Sequence, residues 1–211
     1  MTNPSAVKPI QEETLKIKKY AAIDIGSNAM RLLITYIVEQ EGKESQFNKN
    51  SLVRVPIRLG QDSFTVGEIS EENIDRMIDA MKAFGLLMKV HKVEKYRALA
   101  TSAMREAYNG KEVVEIIKEK SGIEIEIIDG KKEAIIIAST DLHHLLKSDK
   151  TYLYVDVGGG STEFSLFSNG KIVVSKSFKA GTVRFLNKMV CDIVWDEMEK
   201  WEKELYEDTD E

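Results

Sequence analysis

The chain has 211 residues, of which 43% are hydrophobic and 31% charged, with a formal net charge of −5, a balance suited to a folded protein of one or two domains with a sizeable core. Its single cysteine, Cys191, excludes an internal disulfide framework and a Cys-rich zinc site and fits a reducing compartment. No apolar run approaches the ~20 residues a membrane span needs, and the polar N-terminus, with Pro4 and Pro9, has no apolar core, so a cytoplasmic location is expected.

The leader from Met1 to Lys18 lacks periodicity and is expected to be disordered. An apolar strand follows from Tyr20 to Ile25, then a turn at Gly26-Ser27-Asn28 and a second strand through Leu32, Leu33, Ile34, Tyr36 and Ile37. Leu52 to Leu59 reads as a third strand, in which Pro56, lacking an N–H, points to a sheet edge or a bulge. Ser70 is suited to cap a helix that carries Glu71 and Glu72 in its first turn and Ile74, Met77, Ile78, Met81, Phe84 and Met88 at helical spacing. One apolar stripe of this kind reads as core, methionines included.

Tyr96 to Ala100 reads as a strand, Glu112 to Lys120 as a helix closed by Gly122, and Ile123 to Ile128 as a strand. Lys131 to Lys147 reads as a helix, although Ile135, Ile136 and Ile137 are also compatible with a buried strand. The order then begins again: a strand from Tyr152 to Val157, a Gly-Gly-Gly-Ser-Thr turn, a strand from Glu163 to Phe167, an Asn169-Gly170 hairpin turn, a strand from Lys171 to Phe178 and a helix from Thr182. A last helix, Trp195 to Leu205, belongs to an acidic end. Asp192 to Glu211 holds ten acidic and two basic residues, so the tail carries −8 and the rest of the chain about +3. The body therefore need not repel a polyanion, and the tail reads as a solvated helix face.

The two halves share a repeat. Ile23-Asp24-Ile25-Gly26-Ser27-Asn28 and Val155-Asp156-Val157-Gly158-Gly159-Gly160-Ser161-Thr162 both join the first and second strands of a unit. Glycine-rich turns let backbone amides approach a ligand, and with Ser and Thr hydroxyls they form a nest suited to phosphate. An aspartate ending the preceding strand can hold Mg²⁺ beside phosphate oxygens, although Asp24 alone is equally compatible with a plain turn. Two such hairpins facing one another would put two aspartates and two sets of amides around one cleft. No G-x-x-x-x-G-K-[ST] run is present and Gly158 to Gly160 lack G-x-G-x-x-G spacing, so a P-loop and a dinucleotide fold are set aside. His143 and His144 are adjacent and His91 stands alone, which provides no i, i+4 metal pair.

Five segments, taken in order, resemble the motifs of the exopolyphosphatase and guanosine pentaphosphate phosphohydrolase family: Ala21 to Asn28, Ala100 to Ala107, Gly130 to Ala134, Asp156 to Glu163 and Gly181 to Arg184. The resemblance implies an α/β, actin-like (ribonuclease-H-like) fold of two lobes with mixed sheets and the site between them. Residues 19–130 would form the first lobe and residues 131–211 a partial second one. It also implies hydrolysis of the terminal phosphate of inorganic polyphosphate or guanosine pentaphosphate with Mg²⁺ or another divalent cation. Neither a nucleic-acid polymer nor a membrane is an expected partner.

Carried over by position, the resemblance makes Glu133 the base that deprotonates the attacking water and Asp24, Asp156 and Glu163 the metal-linked carboxylates. Arg105, Ser27, Asn28, Ser102, Gly158, Gly159, Gly160, Ser161 and Thr162 would bind phosphate oxygens. Each also has a plainer reading: a first-turn acid for Glu133, a strand-end residue for Glu163, a solvated ion pair for Arg105. Arg184 is compatible with facing the cleft or with the surface at a helix start. The family usually has Ser and an acid where this chain has Asp129 and Lys132, and a nearby ammonium would lower the pKa of Glu133.

The family's second lobe also continues well beyond Gly-Thr-Val-Arg. A second lobe left incomplete would expose one flank of the Tyr152 to Val157 strand, to be covered by Trp195, Met198 and Trp201, by a second copy, or by a full-length relative. The alternative to an enzyme is thus a non-catalytic relative that binds phosphate or such a partner.

Overall fold

Alternation decides which face of the first sheet is buried, since Ala21, Ile23 and Ile25 point to one side and Ala22 and Asp24 to the other. The computed structural model describes residues 15–40, 42–138, 150–169 and 171–207. β1 (Lys16–Ile25) pairs antiparallel with β2 (Met30–Glu39), and β2 with β3 (Gln46–Val55). On its other flank β1 takes β4 (Lys95–Ala100) in parallel, and a short β5 (Glu126–Ile127) extends the sheet to the order β3-β2-β1-β4-β5.

The helices of this half are α1 (Leu59–Thr65), α2 (Glu71–His91), α3 (Ser102–Glu106) and α4 (Gly110–Ser121). Ser70 caps α2 by accepting from the Asn73 amide, as anticipated, and Gly122 closes α4. Met77, Met81 and Phe84 of α2 meet Ile23 and Ile25 of β1 and Val113 and Ile117 of α4 in one core. The methionines are thus core residues.

Three expectations need correction, and one alternative is resolved. β1 begins at Lys16, so Lys16 to Lys18 belong to a strand rather than to the leader: Lys18 pairs with Ile37 in register and its ammonium meets Glu39 at 2.7 Å. The third strand ends at Val55 rather than Leu59, because Pro56 cannot donate to a ladder and Arg58 turns the chain in a left-handed conformation (φ 66°), after which Leu59 opens α1. Of Ile123 to Ile128 only Glu126–Ile127 pairs as strand. Ile135, Ile136 and Ile137 lie in a helix, α5 (Gly130–Ala138), which packs on the second sheet. The remainder of that expected helix with His143 and His144, Gly170 of the hairpin turn and the end of the acidic tail lie outside the described residues.

The second sheet is antiparallel throughout, in the order β6 (Thr151–Val157), β7 (Thr162–Ser168), β8 (Lys171–Phe178), so mixed strand directions are confined to the first sheet. Two helices follow, α6 (Thr182–Leu186) and α7 (Asp192–Glu207). Trp201 of α7 is buried against Phe164 and Phe178, with ring centroids 5.6 Å apart in each pair. Trp195, on another face, is half-exposed beside Phe185.

The cover supplied by α7 is partial. Leu153, Val155 and Val157 of β6 are 53%, 44% and 55% exposed, whereas their repeat counterparts Ala21, Ile23 and Ile25 are 8%, 2% and 1% exposed. An apolar groove of about 660 Å³, walled by Leu153, Leu166, Trp195 and Met198, runs between α7 and the sheet. Each half nonetheless opens with the same three-stranded meander, a glycine turn in its first hairpin, a short helix and then an amphipathic one. This is the α/β actin-like, ribonuclease-H-like architecture. Among the described residues no helix is long and apolar enough to cross a membrane.

The first half carries the larger core, so damage there should dominate stability. Phe84 is fully buried, and Phe84→Ala is expected to cost ~3–5 kcal/mol, read as a lowered midpoint in urea denaturation with the slope unchanged.

Candidate functional site

The first glycine turn is built by a hairpin whose register pairs Ile25 with Met30 and Asp24 with Arg31. Its Gly26 amide donates to the Ala29 carbonyl at 3.1 Å, while the Ser27 and Asn28 carbonyls accept from the amides of Gly60 (2.7 Å) and Arg58 (3.0 Å). The left-handed turn at Arg58 and the start of α1 thus hold the loop from behind. The Ser27 hydroxyl bonds that of Ser102, at the start of α3, at 2.9 Å.

The second turn repeats the plan. Gly158 donates to the Ser161 carbonyl at 2.9 Å, and three successive carbonyls are tied to α6: Gly158 accepts from the Thr182 amide (3.0 Å), Gly159 from the Val183 amide (2.8 Å) and Gly160 from Arg184 Nε (2.6 Å). Register places Asp156 opposite Glu163 across β6 and β7.

The two turns face one cavity of about 570 Å³. Its walls include Asp24, Ser27, Asn28, Ser102, Glu133, Asp156, Gly158, Gly159, Ser161 and Glu163, so most of the residues singled out from sequence converge. Three take other positions. The Thr162 hydroxyl donates to the Ala180 carbonyl and is buried away from the cavity. Gly160 is a contact point, not a wall: a Cβ there would lie 2.3 Å from Ser102 Oγ, 2.5 Å from the Phe64 ring and 2.8 Å from Ser27 Oγ. Arg105 stands behind the wall, where Nη1 donates to the Ile128 carbonyl (2.7 Å) and reaches Glu133 Oε2 at 3.4 Å.

Glu133 sits in the first turn of α5, its amide bonded to the Asp129 carbonyl at 2.9 Å. Its carboxyl is pushed up to about 7, first by burial and then by the negative charge of Glu163, against the opposing pull of Arg105. Lys132 was expected to lower it. Instead the Lys132 ammonium points to Glu126 and the effect of burial prevails. Glu163, itself buried, is raised for the same first reason while accepting from Ser177 Oγ at 2.8 Å. Asp24 is raised by desolvation and by Asp156, with Arg31 at 3.3 Å lowering it less.

The cleft therefore concentrates carboxylates at a cost that a cation would relieve. Among the described residues no three acidic, histidine or cysteine side chains converge as a metal cage, so Asp24, Asp156 and Glu163 do not form a closed ligand set. The donor chemistry still fits Mg²⁺, which binds through one or two carboxylates and completes its shell with water and phosphate oxygens.

Sequence reading missed Arg31 and Arg97, which also line the cavity. Arg31 was accessible in principle, because a tight hairpin sets it opposite Asp24. It also missed Arg184's place, neither cleft nor surface: it is buried, with Nη2 2.6 and 2.7 Å from the two Glu106 oxygens and its guanidinium 3.8 Å from the Phe64 ring centre. Glu106 and Arg184 lie far apart in sequence and no local pattern links them.

Residues 38–208 match the model of the Ppx/GppA phosphatase family. A bifunctional 3-dehydroquinate synthase/phosphatase of Fusobacterium nucleatum is 32% identical over 172 residues, 80% of this chain and 26% of that protein. A guanosine-5'-triphosphate,3'-diphosphate pyrophosphatase of Photobacterium profundum is 31% identical over 173 residues, 82% of this chain and 34% of its own. Among solved structures, an exopolyphosphatase from Cytophaga hutchinsonii superposes with a TM-score of 0.71 at 29% identity, over 81% of this chain and 53% of that one. The chain thus spans between about a quarter and a half of the length of these relatives.

A carboxyl whose pKa is raised on folding weakens stability as pH climbs from its ordinary value through the raised one. Glu133→Gln should therefore raise the melting temperature over wild type, with the gain small near pH ~5 and at its plateau above the raised pKa of about 7. Thermal denaturation across that range would show a pH-independent difference if the burial argument is wrong.

Proposed function

The chain belongs to the Ppx/GppA phosphatase family, and from that we propose that it is a phosphohydrolase that releases the terminal phosphate of inorganic polyphosphate or guanosine pentaphosphate to water. The observation that carries the reading is the position of Glu133: a partly buried carboxyl with its pKa pushed up to about 7, in the wall of a cavity that both glycine turns also face. A base works best when its pKa lies near the working pH.

In the proposed step Glu133 accepts a proton from water as the water oxygen bonds to the terminal phosphorus. The bond from that phosphorus to the bridging oxygen breaks, and the bridging oxygen leaves with its electron pair on the shortened chain. Phosphoryl transfer of this kind needs positioning and charge neutralisation more than covalent help. In this reading Ser27, Asn28, Ser102, Ser161 and the second glycine turn would hold the terminal phosphate. Arg105, behind the wall, supports Glu133 through the contact of Nη1 with Oε2. Asp24 and Asp156, with Glu163 opposite Asp156 in register, would hold Mg²⁺, which when bound neutralises charge on the phosphoryl oxygens. A cytoplasmic location goes with this reading.

A second reading, binding without turnover, rests on the open apolar side of β6 and its groove. In it the chain binds phosphate and self-associates or associates with a full-length relative.

Phosphate release from each substrate, measured with Mg²⁺ for wild type and Glu133→Gln, separates the readings. The first expects turnover reduced ~10²–10⁴-fold by the substitution, the range for loss of a general base. Equal rates would remove Glu133 as the base, and binding without release by the folded protein would select the second reading. In the active protein the rate should rise with pH to a plateau, with a midpoint at or below the about 7 of the metal-free site, because a bound cation favours the ionised carboxylate.

A further inference from the structure

Arg184 and Glu106 belong to different halves of the chain and meet at the back of the cleft. Arg184 Nη2 donates to both Glu106 oxygens, at 2.6 and 2.7 Å, and Nε donates to the Gly160 carbonyl at 2.6 Å. The guanidinium lies on the Phe64 ring, and Lys179 Nζ stands 3.3 Å from Glu106 Oε2. Glu106 itself ends α3, the helix whose first residue, Ser102, bonds Ser27. One cation thus links α3 and α1 of the first half to α6 and the second glycine turn.

We infer that Arg184 and Glu106 are positioning residues that hold the Gly158 to Gly160 turn in the wall of the cavity proposed to take phosphate. The argument is geometric. The carbonyls of Gly158, Gly159 and Gly160 are tied to α6 by Thr182, Val183 and Arg184, which fixes the turn where Gly158 and Gly159 line the cavity. The Thr182 and Val183 bonds come from backbone and would survive most substitutions. The third depends on one side chain, and that side chain is fixed in turn by Glu106 on the other half. Arg rather than Lys is required, because only a planar group with several donors can reach a carboxylate and a carbonyl at once while stacking on a ring.

The inference rests on the phosphate reading for its purpose but not for its detection. Protein labelled with nitrogen-15 glycine would be compared as wild type, Arg184→Lys and Glu106→Gln, following amide resonances and exchange, and inorganic tripolyphosphate with Mg²⁺ would be titrated into each. Arg184→Lys retains a cation for Glu106 and loses the donor to Gly160. The expected result is a shift and at least tenfold faster exchange at Gly158, Gly159 and Gly160, with Gly85 and Gly122 unchanged, and tripolyphosphate affinity weakened at least tenfold. Glu106→Gln, which keeps the shape and loses the charge, should give the same pattern at smaller amplitude, and it decides the question should Arg184→Lys fail to fold. Unaltered resonances at the turn in a folded variant would overturn the inference, as would an altered turn with wild-type affinity. If wild type binds no tripolyphosphate, the phosphate reading fails, while the resonances still decide whether the pair holds the turn.

Discussion

The two glycine turns meet with no room for a single methyl group between them. A Cβ at Gly160 would overlap Ser102, Ser27 and the Phe64 ring, and one at Gly159 would lie 3.1 Å from Ser27 Cβ; on the α6 side, one at Gly181 would lie 2.4 Å from the Gly159 carbonyl. Contact at backbone distance is possible only with hydrogen there. It brings Asp24 and Asp156, each next to the last residue of its strand, into the wall of the same cavity.

Charge is the second constraint. Asp24, Asp156, Glu133 and Glu163 share a small volume with only part of their charge answered by Arg31 and Arg105. Burial and mutual repulsion raise Glu133, Glu163 and Asp24 together, so ionising all of them at once is opposed. A site arranged in this way is destabilised in isolation and suited to a ligand that brings cation and phosphate together.

The two halves use the same plan with unequal completeness. In the first, α2 and α4 together close over β1, and Ile23 and Ile25 are sealed; in the second, α7 covers β7 and β8 through Trp201 while β6 stays open. β1 has a strand on either flank, whereas β6 has a neighbour only in β7 among the described residues. The site needs the turn ending β6, not the far side of that strand, so the geometry of the cleft persists beside an open apolar face.

Local chemistry in the chain determined a great deal. The paired Asp-x-Gly turns, the apolar alternation of β1 and β6, the Ser70 cap and the methionine stripe of α2 act over a few residues, where steric preference and periodicity suffice to specify them. α1 and α3 escaped because five to seven residues carry too little periodicity, and the first is set by a left-handed Arg58 that has no glycine to mark it. What only the tertiary structure decided were properties that depend on distant neighbours. The direction of the Glu133 pKa follows from burial under the second sheet rather than from Lys132 beside it, and Arg184 acquires its role from Glu106 and Phe64, which the chain brings to it only after both halves have folded.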